Sequence, residues 1–190
     1  GMFLHVVRHG RTASNVAGLL DTAHPGAPLD EVGLAQAEAL VERFAETDLG
    51  AVYASDILRA VQTGTPLASA RGLPLTQLDG LREILAGDQE LATTWGPYVD
   101  MLRAWGSGRP NELRPGGEDS VAFFGRFDAA VIQIAEAGHE SALLVSHGAA
   151  MRVWLGARVS GLDHMDVAAR RLGNTAVIAL EGEPGDWRLV

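Results

Sequence analysis

Three short runs of apolar, β-type residues constrain the fold of this chain most strongly. The runs cover residues 3–7, 51–54 and 142–145, and each is followed by a polar or glycine-containing step and then by a helical pattern. Such alternation is typical of α/β proteins, in which connecting helices return the chain for the next parallel strand. The sequence therefore predicts an α/β fold with a single three-layer domain over residues 1–190, in which helices flank a largely parallel central sheet.

Helical patterns occupy most of the remaining chain. Predicted helices cover about residues 31–46, 55–70, 120–137 and 149–159, and closing strands cover 175–181 and 187–190. Asp30 is expected to cap the first helix and Ser55 or Asp56 the second, because short polar side chains accept hydrogen bonds from free N–H groups. Aromatic and leucine side chains recur at helical spacing from Trp95 to Trp105, and we interpret this stripe as a packing face.

The acidic composition limits the classes of partner. Fifteen Lys and Arg residues against 24 Asp and Glu residues give a net charge of −9, which argues against general nucleic-acid binding and against an anionic membrane surface. An anionic substrate must then be captured by a local group of arginines. The chain has no cysteine, which excludes disulfides, thiolate metal sites and cysteine catalysis.

The first residues bear on location. Gly1 before Met2 looks like a residue left by tag cleavage, and no basic and apolar leader follows it. No apolar run approaches the roughly 20 residues that a membrane helix needs. We therefore expect a cytoplasmic protein without a membrane partner, and a homodimer is left open.

Basic side chains follow the predicted strands at the points where the strands end. Arg8 and His9 follow the first run, His147 follows the third, and Arg59 lies one turn into the helix after the second. Because the carboxyl ends of parallel strands meet at one edge of the sheet, these four side chains are expected to share a pocket. Histidine can act as a neutral nucleophile near pH 7, and an adjacent guanidinium suits a phosphate dianion.

Two further segments complete an ordered set of motifs. Asn15 lies in the loop after the first strand, and Glu83 lies in the segment Leu-Arg-Glu-Ile at residues 81–84. Together with the four basic residues, and with Leu-Gly-Asn-Thr at 172–175, this order resembles the histidine phosphatase superfamily, also called the phosphoglycerate-mutase-like family. The resemblance covers essentially the whole chain.

The resemblance implies a phosphoryl-transfer site and a role for each matching residue. His9 would be transiently phosphorylated, and Glu83 would protonate the leaving group. The residues that would bind the non-bridging phosphoryl oxygens are Arg8, Asn15, Arg59 and His147. Guanidinium forks and an imidazole supply directed donors without a metal, so no metal and no cofactor are expected. His9 must be neutral at the attacking nitrogen, so its other ring nitrogen is expected to donate to a backbone carbonyl.

Three features depart from the family pattern or leave roles open. Arg11 stands where many relatives carry Glu or Gln, and it either favours a more highly charged substrate or is a solvated loop arginine. The segment after Glu83 lacks the tryptophan expected near residue 89. Glu118 matches a family segment that borders the pocket, and it is either a reserve candidate for the proton donor or a cap for the following helix.

The residues after Glu83 favour hydrolysis over transfer. They are Ile, Leu and Ala, whereas phosphoglycerate mutases carry an arginine- and tyrosine-rich segment there. We therefore predict a metal-independent phosphatase that acts on a small phosphorylated metabolite. The alternatives are mutase-type transfer, a non-catalytic phosphate-binding regulatory module, and a phosphohistidine phosphatase of signalling proteins. Glu83 counts against the last, because a histidine leaving group needs little help from an acid.

Overall fold

Seven strands form one mixed sheet in the computed structural model of the chain, which describes residues 1–162 and 172–190. The strands are β1 (Met2–Arg8), β2 (Ala51–Ala54), β3 (Leu75–Gln77), β4 (Ser141–Ser146), β5 (Val159–Ser160), β6 (Val177–Glu183) and β7 (Asp186–Leu189). Their order across the sheet is β3-β2-β4-β1-β6-β7-β5. The first four strands in this order are all parallel, whereas β6 is antiparallel to both β1 and β7. The prediction of a largely parallel sheet is confirmed.

Helices cover both faces of this sheet. They are α1 (Ala13–Ala17), α2 (Glu31–Arg43), α3 (Leu58–Ala70), α4 (Gly96–Gly106), α5 (Ser120–Glu136) and α6 (Gly148–Arg158). Alternate strand residues point to opposite faces. Leu4, Val6 and Leu144 pack in one core cluster with residues of α4, α5 and α6. Val7 and Val145 pack on the other face with residues of α2 and α3, which confirms the three-layer architecture.

The helix ends follow the capping chemistry in part. The Asp30 side chain accepts a hydrogen bond from Gly33 N at the start of α2, as predicted. The predicted cap of α3 is wrong, because α3 begins at Leu58 after Ile57 and has no side-chain cap. Ser55 Oγ instead lies 2.9 Å from His147 Nε2, and the Asp56 carboxylate pairs with Arg82.

The packing of α2 depends on a glycine. Gly33, Ala37 and Leu40 are buried, whereas Leu34 is 49% exposed. A Cβ atom on Gly33 would lie 2.1 Å from the backbone oxygen of Arg11, so only glycine allows α2 to approach the loop after β1.

The described helices were also compared with the length and hydropathy of a membrane-spanning helix. Among the described residues, no helix is both long enough and apolar enough to cross a bilayer. His164, which the sequence marks as an isolated histidine, lies outside the described residues.

Candidate active site

Two adjacent parallel strands bring the two motif histidines together. In the register of β1 and β4, Arg8 lies opposite Ser146, and His9 N donates to Ser146 O at 3.0 Å. His9 and His147 are the next residues on each strand, and their ring centroids are 5.2 Å apart. Both residues are buried. The sheet register therefore produces a contact between residues that are far apart in the sequence.

The hydrogen bonds of His9 fix its tautomer. Nδ1 lies 2.6 Å from Gly10 O, and a carbonyl oxygen can only accept, so Nδ1 carries the proton. Nε2 then carries a lone pair, which accepts a hydrogen bond from Arg59 Nε at 3.2 Å. Burial, followed by the positive charges of Arg59 and Arg8, holds the pKa of His9 well below its usual value. His9 is therefore a neutral imidazole at pH 7 with its lone pair on Nε2, as the sequence analysis expected.

Arg59 is held from two sides. Its Nη2 donates to Asp21 O at 2.6 Å, and its Nη1 lies 3.7 Å from the Asp21 carboxylate. Thr63, one turn further along α3, accepts a hydrogen bond from Gly10 N and donates to Arg59 O. These bonds join α3 to the turn after β1, so the guanidinium is aligned with His9 before any ligand arrives.

Several buried nitrogen atoms at this site have no hydrogen-bond partner among the described residues. They are the four atoms Arg8 Nε, Arg59 Nη1, His147 Nδ1 and Arg152 Nε, and all belong to guanidinium or imidazole side chains. Buried polar groups are normally paired, so a concentration of unpaired nitrogens indicates a place for an anionic ligand. Burial first, and then the charge of Arg59, lowers the pKa of His147 well below its usual value.

A cavity of about 230 Å³ connects these residues. Its polar lining comprises Arg8, His9, Thr12, Asn15, Asp21, Thr22, Arg59, Glu83 and Arg152. Its apolar lining comprises Leu19, Leu20, Trp95, Tyr98, Val99 and Leu102. His147 lies behind His9, in ring contact with it. The structure thus brings Arg8, His9, Asn15, Arg59, Glu83 and His147 to one place, as the sequence analysis expected.

Glu83 is anchored at the N-terminus of α6. Its Oε1 accepts hydrogen bonds from Ile84 N and Ala150 N, both at 2.8 Å, and its Oε2 accepts one from Ala149 N at 3.2 Å. The helix N-terminus favours a carboxylate because its free N–H groups carry partial positive charge. Oε2 has the single, longer bond and is therefore held less tightly by the backbone than Oε1 is.

Two other candidate residues lie outside the cavity lining. Arg11 Nε donates to Asp30 Oδ2 at 2.7 Å, and its side chain is 41% exposed. Glu118 pairs with Arg126 and accepts a hydrogen bond from Leu85 N. Arg126 in turn donates to the backbone oxygen of Glu83 at 3.0 Å. Glu118 therefore orders the loop that carries Glu83, and it neither lines the cavity nor caps α5, whose cap is Asp119.

The structure adds functional candidates that the sequence analysis missed. Arg152 lines the cavity from α6, one helical turn after Gly148. Its spacing from the His147 motif is the signal that could have found it. The interpretation of the aromatic stripe as a packing face is confirmed for Tyr98, Leu102 and Trp105, which are buried in one core cluster with residues of α5 and α6. The prediction missed that Tyr98 and Leu102 also line the cavity, together with Trp95, which is 42% exposed.

Carboxylate and imidazole groups are spread out in this protein. Within residues 1–162 and 172–190, no three His, Asp or Glu side chains are grouped so that they could hold a metal ion. The charged lining of the cavity consists of guanidinium and imidazole groups and the carboxylates of Asp21 and Glu83.

Comparison with known proteins assigns the chain to a family. The model of the histidine phosphatase superfamily (branch 1) matches residues 4–190. A Proteus mirabilis protein described as a probable phosphoglycerate mutase is 29% identical over 97% of this chain and 86% of its own length. A Mycobacterium tuberculosis PE-PGRS family protein is 31% identical over 97% of this chain, which spans only 35% of that longer protein.

A solved structure of mycobacterial glucosyl-3-phosphoglycerate phosphatase complexed with VO3 has the same fold. It is 26% identical, covers 100% of this chain and 98% of its own, and superimposes with a TM-score of 0.82. The fold and the ordered motifs agree with the match of the family model to residues 4–190 of the chain. The chain belongs to the histidine phosphatase superfamily.

Proposed function

We propose that the chain is a phosphatase that hydrolyses a small phosphomonoester through a phosphohistidine intermediate on His9, without a metal or cofactor. The observation that carries this proposal is the tautomer of His9. Its Nδ1 proton is held by Gly10 O, so Nε2 presents a lone pair beside the two arginines Arg8 and Arg59. A neutral nucleophile next to fixed positive charge is what attack on a phosphate dianion requires.

The cationic groups bind and orient the phosphoryl group. Arg8, Arg59 and His147 have buried nitrogens that are free to donate to the non-bridging oxygens, and Asn15 lies on the same wall. Arg59 Nε now donates to His9 Nε2, so a phosphoryl oxygen takes over that donor as phosphorus approaches the lone pair. Because the guanidinium is already fixed by Asp21, little reorganisation accompanies this exchange.

The chemistry then proceeds in two steps. His9 Nε2 forms a bond to phosphorus while the bond from phosphorus to the alcohol oxygen breaks, and Glu83 gives its proton to that oxygen. In the second step, the Glu83 carboxylate takes a proton from water, whose oxygen attacks phosphorus. The bond from phosphorus to Nε2 breaks, inorganic phosphate leaves, and Glu83 is protonated again.

Hydrolysis is favoured over mutase-type transfer by the wall opposite the cationic groups. A mutase must hold its phosphoglycerate product between the two half-reactions, which calls for polar contacts to the carboxylate and hydroxyl groups. Trp95, Tyr98, Val99 and Leu102 offer none, because they present apolar surface to the cavity. A non-catalytic phosphate-binding module would need neither a nucleophile such as His9 nor an acid such as Glu83 in the cavity that binds the phosphate.

The test is a turnover assay in the presence of EDTA. We expect the protein to release phosphate from p-nitrophenyl phosphate and from alkyl phosphates, with rates that EDTA and added Mg²⁺ do not change. The same preparation is given 3-phosphoglycerate and followed by phosphorus NMR. Formation of 2-phosphoglycerate faster than release of phosphate would favour the mutase, and activity that requires Mg²⁺ would contradict the proposed site.

A further inference from the structure

Two aromatic rings on the cavity wall have no free hydrogen-bond donor for a ligand. Trp95 Nε1 donates to Gly18 O at 2.8 Å, and Tyr98 Oη donates to Ile84 O at 2.7 Å. Aromatic side chains commonly bind ligands through the indole N–H or the phenol O–H, and here both groups are already bonded to the backbone. The rings therefore offer apolar surface to the cavity and no N–H or O–H donor.

The remaining residues of this wall are aliphatic. Leu19 and Leu20 come from the loop after α1, and Val99 and Leu102 come from α4. Backbone hydrogen bonds between Leu20 and residues 91–92 connect the loop to the segment before α4. The wall is thus a defined surface, fixed by backbone bonds on both sides, that faces the cationic end of the same cavity.

The size of the cavity limits what can lie against this wall. An engineered cavity of about 150 Å³ holds benzene. A cavity of about 230 Å³ therefore has room for a phosphoryl group and one ring-sized group. Trp95 is the more accessible of the two aromatic rings on the wall, with 42% of its surface exposed, whereas Tyr98 is buried.

We infer that this wall is a subsite for an apolar leaving group, so that the preferred substrates are phosphomonoesters of ring-sized aromatic or aliphatic alcohols. The inference rests on the proposed function. Sugar phosphates and phosphoglycerates fit this wall poorly, because hydroxyl and carboxylate groups placed against it would lose water without gaining hydrogen bonds from its side chains. Arg152 also lines the cavity; burial lowers its pKa, and the charge of the nearby Glu83 raises it.

The first experiment compares two primary alkyl phosphates of equal ring size, cyclohexylmethyl phosphate and glucose 6-phosphate. We expect kcat/KM to be at least about tenfold higher for the cyclohexyl compound, since apolar contacts of this kind are worth roughly 10- to 200-fold. Equal values, or a preference for glucose 6-phosphate, would overturn the inference. Faster turnover of 3-phosphoglycerate than of both would also overturn it, and would assign Arg152 to an anionic group of the substrate.

The second experiment uses variants of the wall. Trp95→Ala should lower kcat/KM for cyclohexylmethyl phosphate about tenfold and leave inhibition by inorganic phosphate within about twofold, because the ring contacts only the alcohol part. Val99→Thr, which replaces a methyl group with a hydroxyl, should narrow the preference for the cyclohexyl compound. Leu113→Ala is the control, since Leu113 is similarly exposed and lies away from this cavity. Equal effects of Trp95→Ala on both substrates would contradict the subsite.

A binding measurement separates this inference from the proposed function. Cyclohexylmethylphosphonate and methylphosphonate cannot be hydrolysed, and their dissociation constants are measured by calorimetry on wild type and on Trp95→Ala. Tighter binding of the cyclohexyl compound, lost in the variant, supports the subsite even if no phosphatase activity is found. Equal binding of the two phosphonates, in a protein that does hydrolyse phosphate esters, would overturn the subsite and leave the phosphatase standing.

Discussion

The two sides of the cavity are built in different ways. The cationic end is held by the ends of β1 and β4 and by α3, and its side chains are fixed by hydrogen bonds to neighbouring backbone atoms. The apolar wall comes from α4 and the loop after α1, and its side chains offer only apolar surface. In the proposed function, the first side acts on the phosphoryl group, whereas the second contacts only the alcohol. Chemistry and substrate preference are therefore carried by separate parts of the fold and can change separately.

The largest effect of a positioning change should come from Arg59. In Arg59→Lys the positive charge remains, but a single ammonium cannot bond to His9 and to Asp21 O while also reaching the phosphoryl group. We expect kcat/KM to fall about 10²- to 10³-fold for apolar and polar substrates alike. The steady-state rates of both alkyl phosphates check this.

The matched control is Arg158→Lys, because Arg158 pairs with Asp128 on the surface. It should leave kcat/KM within about twofold of wild type, as is usual for exposed ion pairs. A loss on Arg59→Lys that affected only the cyclohexyl substrate would show that the two sides of the cavity are not independent.

Glu83→Gln separates leaving-group chemistry from the binding of the phosphoryl group. Alkoxides leave poorly without a proton, so we expect alkyl phosphates to slow about 10²-fold and aryl phosphates much less. The amide keeps an acceptor for the backbone N–H groups of α6 but cannot donate a proton as an acid does. The ratio of rates on p-nitrophenyl phosphate and cyclohexylmethyl phosphate measures the effect.

An equal loss on both substrates would assign Glu83 to holding α6 in place. The comparison variant is Glu118→Gln, in which the residue bonded to Arg126 changes instead. Glu118→Gln should lower the free energy of unfolding and leave unchanged the ratio of the rates on p-nitrophenyl phosphate and cyclohexylmethyl phosphate. A change in the ratio with Glu118→Gln, and none with Glu83→Gln, would exchange their roles.

The buried histidines make the stability of the cationic end depend on pH. Burial, followed by the charge of Arg59, lowers the pKa values of His9 and His147 well below the value near 6.5 of an unfolded chain. Below about pH 6.5 the unfolded chain binds more protons, so the free energy of unfolding falls, by up to about 1.4 kcal/mol per pH unit for each histidine. Urea unfolding at pH 7.0, 6.0 and 5.0 measures this slope.

The slope should be reduced by removing either histidine. His9→Asn and His147→Gln each eliminate one buried imidazole, and each should remove about one proton from the difference between unfolded and folded chains. A wild-type stability that stayed constant from pH 7 to pH 5 would contradict the neutral state of the two rings, and with it the nucleophile assignment.

The smallest effects are expected on inhibition by inorganic phosphate, when Arg152 and Arg11 are replaced one at a time. Arg152 lines the cavity and has an unpaired Nε, so Arg152→Ala should weaken inhibition by inorganic phosphate about fivefold, as expected for loss of one partly exposed charged contact. Arg11→Ala should change it less than about twofold, because Arg11 pairs with Asp30 outside the cavity. A larger loss of phosphate inhibition in Arg11→Ala than in Arg152→Ala would favour the alternative in which Arg11 selects a more highly charged substrate.

The two sides of the cavity also differ in how well the sequence predicts them. Arg8, His9 and His147 follow apolar strands directly, so the parallel sheet alone brings them together, and their motifs are short and ordered. Trp95 and Tyr98 lie in an irregular stretch, where helical spacing fits a packing face and a cavity wall equally well. Which face of α4 meets the cavity depends on packing against α5 and β1, and no local pattern specifies it.

The prediction errors have the same origin. The cap of α3 failed because Ser55 and Asp56 have partners on distant segments, His147 and Arg82. The sequence left two alternatives open for Arg11, because it does not show that Asp30 binds the Arg11 guanidinium. Residue type and spacing indicate chemistry well where backbone geometry fixes the side chain, and poorly where a distant partner competes for it.

The most direct test of the account is to trap the covalent intermediate. The protein is mixed with p-nitrophenyl phosphate in EDTA, quenched in base within milliseconds, digested, and analysed by mass spectrometry. We expect an acid-labile phosphoryl group on the peptide that carries His9, and none on that peptide in His9→Asn. A phosphoryl group on His147 in the wild-type protein, or full turnover by His9→Asn, would contradict the assignment of His9 as the nucleophile.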